Sequence, residues 1–251
     1  MLSIQSVSKS FGALQALKNV SFEIKSNRVH GIIGPNGSGK TTLFNCITGH
    51  LVPENGTIRM EAKTITGLRP HRIAQLGVRR TFQAGKLVSN LTVLENVMAG
   101  FYSFGFRDLV DVFLRLPSKP SRVEEEIEAA ARQALALVGM EKAAGRWAVD
   151  LVWAERQFVQ IARALVSKPR IVLLDEPNSG MGSQETERIE DVIRRIREMG
   201  ITVVVISHDV KMLMNLSDWV TVLNFGETIA AGVPQEIQAN PKVLEAYLGA
   251  E

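Results

Sequence analysis

The residues best suited to chemistry are Gly34, Pro35, Asn36, Gly37, Ser38, Gly39, Lys40 and Thr41, spaced G-x-x-x-x-G-K-T. Glycines let successive backbone N–H groups turn toward a phosphate with no Cβ in the way. A helix opening directly behind the loop adds its partial positive charge. Lys40 can then reach the β- and γ-phosphates, and the Thr41 hydroxyl can ligate Mg²⁺, with Thr42 next in the same turn. A glycine-rich turn before an ordinary helix is the plainer reading. The flanks argue against it: Val29–Ile33 reads as a buried strand, and Thr41–Thr48 as a helix stopped by Gly49. The chain is expected to bind a nucleoside triphosphate.

A second group completes such a site. Ile171–Leu174 is an apolar strand that runs into Asp175-Glu176. Asp175 would hold Mg²⁺ at the carboxyl end of the strand, and Glu176 would polarise the attacking water as general base. A strand ending in two solvated acids is the plainer account, but it leaves the glycine loop without its partner. His208 follows the next apolar strand, Ile201–Ser207, and can donate a hydrogen bond to a γ-phosphate.

The elements that must position these groups alternate between strand and helix, which predicts an α/β domain with a largely parallel sheet. Leu2–Ser8 and Val20–Lys25 read as strands, with a turn at Phe11-Gly12. Pro53–Gly56 reads as a tight turn and Thr57–Met60 as the strand after it. Arg72–Leu76 reads as a short helix ended by Gly77, and Val78–Phe82 as a strand stopping at Gln83. Composition changes from about Ala84. Thr92–Glu95 is a capping-box pattern, Phe101–Pro120 an irregular insert, and Val123, Ile127, Ala130, Ala134 and Val138 form one helical stripe. Arg156–Val166 is a further amphipathic helix, and another carries Ile189, Val192, Ile193 and Ile196. No internal repeat is visible.

Composition excludes several classes. Hydrophobic residues are 45% of 251, enough for a sizeable core, and the net charge of +3 is too mild to argue for nucleic acid. Arg69, Arg72, Arg79 and Arg80 read as a solvated surface or partner contact rather than a nucleic-acid patch. The single cysteine, Cys46, rules out a disulfide framework and a cysteine metal site. The longest apolar run, Ile201–Ile206, is far short of a membrane span, and residues 1–10 lack a signal core. A soluble, cytoplasmic protein is expected, reaching a membrane only through a partner.

Phe11, the 34–41 loop, Gln83, Leu151–Leu165, Asp175-Glu176 and His208, in this order and spacing, resemble the nucleotide-binding subunit of an ABC transporter over nearly the whole chain. The resemblance implies a P-loop NTPase core with an N-terminal antiparallel β part (residues 1–85 and 166–251) and an inserted helical subdomain (residues 86–165). It implies ATP and Mg²⁺ as ligands, Phe11 stacked on adenine, and Gln83 touching Mg²⁺ and water. Arg80-Thr81-Phe82-Gln83, the 101–120 insert and Glu245–Gly249 are most similar to ATPases of branched-chain amino acid uptake. The partners so implied are a second ABC ATPase subunit, membrane permease subunits and, indirectly, a solute-binding protein, with the chain peripheral on the inner membrane face. The alternatives are the energy subunit of an exporter, as in lipopolysaccharide export, or a soluble ABC ATPase. The latter lacks its marks here: no coiled coil, no zinc cysteines, no second cassette. A GTPase would need an [N/T]-K-x-D motif, which is missing.

The chain departs from the family in two loops. The signature, roughly L-S-x-G-[Q/E/D], reads Leu151-Val152-Trp153-Ala154-Glu155 here. Val152 lacks the hydroxyl expected to reach a γ-phosphate, and Ala154 puts a Cβ where a backbone N–H must come close. The loop Ser179-Gly180-Met181-Gly182 ends in Gly where Asp is usual. In the family both loops serve ATP held by the other subunit, whereas every element serving the chain's own ATP is intact. A heterodimer with one impaired composite site is therefore expected over neutral drift.

Overall fold

The computed structural model describes residues 1–81, 87–101 and 122–248. Its centre is a sheet of β3 (Val29–Ile33), β6 (Val78–Arg80), β7 (Ile171–Asp175), β8 (Thr202–Ile206), β9 (Trp219–Asn224) and β10 (Glu227–Gly232). The order is β10-β9-β3-β8-β7-β6, parallel throughout except for the antiparallel β9–β10 pair. Every residue of β3, β7 and β8 is buried. This is why those strands read as unbroken apolar runs: both faces of a parallel sheet are covered.

The second sheet is antiparallel: β1 (Leu2–Phe11), β2 (Leu14–Ile24), β4 (Asn55–Met60) and β5 (Lys63–Thr64), in the order β2-β1-β4-β5. It packs with α1 (Lys40–Ile47) against one face of the central sheet, burying Leu43, Phe44, Leu173 and Val204 in one cluster. Val172, Leu174, Val203 and Val205 point to the other face, where a larger cluster gathers most of the remaining helices. These include α3 (Val93–Met98), α4 (Arg122–Leu137), α5 (Trp153–Leu165) and α6 (Ser183–Glu198). Each fully buried aliphatic side chain contributes about 1.5–3 kcal/mol relative to exposure. The short α2 (Pro70–Gln75), α7 (Val210–Leu216), α8 (Pro234–Gln238) and α9 (Pro241–Leu248) complete the α-helices among the described residues.

Several boundaries differ from expectation. β1 and β2 are longer because register shifts along the ladder, with left-handed Ser6 and Asn19, break the alternation that marks a strand. Asn55-Gly56 belongs to β4, not to a turn. A Cβ at Gly56 would lie 2.3 Å from the Ser6 carbonyl, so the glycine serves a close strand crossing. α5 opens at Trp153, a turn before Arg156, and Val123 is exposed rather than part of the α4 stripe. The Thr92 capping box is present, with Glu95 donating its N–H to the Thr92 hydroxyl and accepting the Thr92 N–H. Phe82, Gln83 and most of the expected insert lie outside the described residues.

Candidate nucleotide site

β3, β8 and β7 lie side by side, so their carboxyl ends bring Gly34, Ser207-His208 and Asp175-Glu176 to one edge of the sheet. This crevice is where open α/β sheets place ligands. The loop between β3 and α1 carries left-handed glycines where side chains would not fit. At Gly39 (φ +101°) a Cβ would sit 2.5 Å from the Ala16 carbonyl, and at Gly34 (φ +152°) it would sit 2.0 Å from that of Leu223. The loop is thus clamped between β2 and β9. The β9–β10 turn adds a third clamp, with the Gly226 N–H donating to the Ser38 carbonyl at 3.2 Å.

Lys40 is the first residue of α1 and is buried. Its ammonium donates to the carbonyls of Gly34 (2.7 Å) and Pro35 (2.9 Å) and to Ser38 Oγ (3.3 Å). Burial pulls its pKa below the ordinary lysine value, and the nearby carboxylates of Glu176 and Asp175 work against that shift. Thr41 is exposed, Thr42 half-buried, and Asn36 and Gly37 open to solvent.

Asp175 ends β7 almost wholly buried. Its Oδ2 accepts from Arg80 Nη2 at 2.6 Å, and its N–H donates to Thr81 Oγ1 at 3.3 Å. Its Oδ1 is buried with no hydrogen-bond partner among the described residues. An unsatisfied carboxylate oxygen beside a phosphate loop fits a divalent cation, directly or through its water. Glu176 takes a left-handed φ of +49°, and its carboxylate lies 3.4 Å from His208 Nδ1. Such strain in a non-glycine residue persists only where the surroundings hold it. Here the Glu176 N–H donates to the Ile206 carbonyl at 2.8 Å. Behind it Ser207 Oγ donates to Asn178 Oδ1 and accepts from the Asp209 N–H, locking the turns after β7 and β8 together.

The remaining expected residues separate into two places. Phe11 closes β1, half-exposed, in the hairpin whose Ala16 packs on Gly39, with the Lys9 ammonium 5.8 Å from its ring centroid. Val152 caps α5 and Trp153, Ala154 and Glu155 form its first turn, with Val152 and Trp153 exposed and Ala154 and Glu155 half-buried. Glu155 accepts from the Val152 N–H at 3.1 Å and pairs with Arg146 at 2.6 Å, which holds its carboxyl below the usual range. Trp153 Nε1 donates to the Ser179 carbonyl at 2.7 Å. The segment expected to be the signature is thus tied to the loop after β7.

Sequence reasoning passed over three contributors. Arg79 and Arg80 are not a solvated surface: Arg79 is buried on Ser167, and Arg80 bridges Asp175 and Asn45. Tyr247 in α9 reaches back to the loop. Burial raises its hydroxyl pKa, partly offset by a hydrogen bond from the Gly34 backbone. The Phe225-Gly226 turn under Ser38 carried only the hairpin signal of a glycine after an apolar run.

Comparison with known proteins agrees with this geometry. Residues 17–179 match the ABC transporter family, and residues 227–251 match the branched-chain amino acid ATP-binding cassette transporter family. The chain is 37% identical over 250 residues to LivG of Salmonella typhimurium, a high-affinity branched-chain amino acid transport ATP-binding protein, covering 99% of this chain and 98% of that one. It is 36% identical, with the same coverage, to BraF of Pseudomonas aeruginosa, which carries the same description. A crystal structure of the ADP conformation of MJ1267, an ATP-binding cassette of an ABC transporter, superposes with a TM-score of 0.87 at 33% identity, covering 99% and 98% of the two chains. With its loop, its paired acids and its C-terminal segment accounted for, the chain belongs to the ABC transporter ATP-binding family, on the branched-chain amino acid branch.

Proposed function

We propose that this chain binds and hydrolyses ATP to energise uptake of branched-chain amino acids or similar small polar solutes. The observation that carries it is the meeting of Lys40, Asp175, Glu176 and His208 at the carboxyl ends of adjacent parallel strands. In this reading the Gly34–Gly39 amides and Lys40 cradle the phosphates, Thr42 supports them, and Phe11 stacks on adenine. Thr41, Asp175 and Gln83 are the positions to hold Mg²⁺, which when bound neutralises charge on the phosphates. Glu176 takes a proton from the attacking water, and His208, beside it, donates toward the γ-phosphate. Residues 86–165 form a helical subdomain on a core of residues 1–85 and 166–251.

The signature residues Val152–Glu155 would face ATP on a second ATPase subunit, and their alteration favours a heterodimer. No helix among the described residues is long and apolar enough to cross a membrane. Permease subunits would hold the chain at the inner face and take solute from a binding protein. Glu176→Gln tests the catalytic assignment. ATP binding should persist while hydrolysis slows ~10²–10⁴-fold, the range for losing a general base. Full turnover would move the base elsewhere. Uptake of leucine by vesicles holding the assembled transporter should require ATP and an intact Lys40. Uptake indifferent to either would overturn the transport reading.

A further inference from the structure

β6 is only three residues long, yet its last residue reaches two elements of the nucleotide site. The Arg80 side chain is 5% exposed. Its Nη2 donates to Asp175 Oδ2 at 2.6 Å, its Nη1 to Asn45 Oδ1 on α1 at 2.6 Å, and its plane lies 5.4 Å over the Phe44 ring. A planar fork with two acceptors and an aromatic platform has one orientation, so Arg80 fixes the rotamer of Asp175. One carboxylate oxygen is thereby committed. The other, Oδ1, is left buried and without a hydrogen-bond partner among the described residues.

The charges follow the same division. Asp175 and Glu176 stand at one edge of the sheet with Lys40 near both. Without nucleotide two acids would attract any divalent cation, but Arg80 sits in contact with the acid suited to hold it. Arriving with a triphosphate, the cation brings phosphate charge that outweighs the guanidinium.

We propose that Arg80 is a positioning residue and internal countercation: it presents Asp175 Oδ1 and admits a divalent cation only together with the triphosphate. This rests on Asp175 as the metal-side carboxylate, proposed above.

The test is Mn²⁺ binding to the full chain without nucleotide, followed by electron paramagnetic resonance of free Mn²⁺. Wild type should bind no Mn²⁺ tightly. Arg80→Gln, which is neutral and keeps a donor for Oδ2, should tighten nucleotide-free binding roughly 10- to 100-fold, the factor for removing a unit charge a few ångströms from a cation in a partly screened site. Arg80→Lys should remain like wild type, because the charge is kept. A merely structural arginine would change thermal stability in both variants without separating their Mn²⁺ affinities. Unchanged Mn²⁺ binding in folded Arg80→Gln overturns the proposal. If that variant does not fold, wild type alone decides: tight Mn²⁺ binding without nucleotide overturns it, and a loss of free Mn²⁺ that appears only with ATP and exceeds that caused by ATP without protein supports it. Asp175→Asn separates the two readings. If Mn²⁺ still strengthens ATP binding fully in that variant, the metal assignment of Asp175 fails. If that effect is lost while Arg80→Gln is silent, only the role of Arg80 fails.

Discussion

Replacing Lys40 with alanine tests whether charge, rather than loop shape, holds the nucleotide. The ammonium now rests on two loop carbonyls at 2.7 and 2.9 Å. A phosphate oxygen entering the loop would meet it at about 4 Å, an attraction of about 4 kcal/mol at the effective dielectric of a partly exposed site. Part of this is spent drawing the lysine off its carbonyls, leaving about 3 kcal/mol, or roughly 10²-fold in Kd. Titration with a fluorescent ATP analogue should show that loss in Lys40→Ala. A second arm uses pH. Burial lowers the Lys40 pKa from its ordinary 10.5, so raising pH toward that value should discharge it and weaken ATP binding in wild type, while Lys40→Ala stays flat. For stability the sign reverses. Between the lowered pKa and 10.5 the unfolded chain binds more protons, so the nucleotide-free fold gains stability as pH rises there. A change in Kd below threefold, or equal pH slopes in both proteins, would refute the argument.

Two further outcomes follow from other sites. His30 is buried between Phe22 and Thr221, and burial drives its pKa from 6.5 to about 3. The unfolded chain takes up a proton below pH 6.5 and the fold does not, so urea denaturation should show about 2 kcal/mol lost by pH 5 on this account, and the slope should be smaller by that amount in His30→Gln. Val152 is the N-cap of α5 with extended dihedrals and no side-chain acceptor, while Glu155 already reaches back to its N–H. Val152→Ser should complete that capping box and raise stability by about 1 kcal/mol, and no gain in urea midpoint would contradict it.

Much of the site was legible because its chemistry is local. A backbone that must wrap an anion needs glycine at fixed positions, and Gly34 and Gly39 prove to be where a Cβ would strike β9 and β2. Asp175 and His208 were legible because open parallel sheets take their ligands at the carboxyl ends of the buried strands. What stayed hidden depends on partners distant in sequence. Arg80 looks like its neighbours until Asn45 and Asp175 are beside it. Gly56 resembles a turn residue because the Ser6 carbonyl it must pass lies fifty positions away. The bulges at Ser6 and Asn19 erased the alternation that would have marked the full hairpin.

The hydrogen bond from Trp153 to Ser179 also makes the chain its own optical probe. Indole emission shifts when its N–H exchanges a carbonyl for water. There are three tryptophans, and the other two have no part in this hydrogen bond: Trp147 bridges to Thr92, and Trp219 opens β9. With both changed to phenylalanine, the emission maximum would report one event: whether the start of α5 is still joined to the turn that follows Glu176. Followed through nucleotide addition and turnover, that signal would time the parting of the two loops without any attached dye.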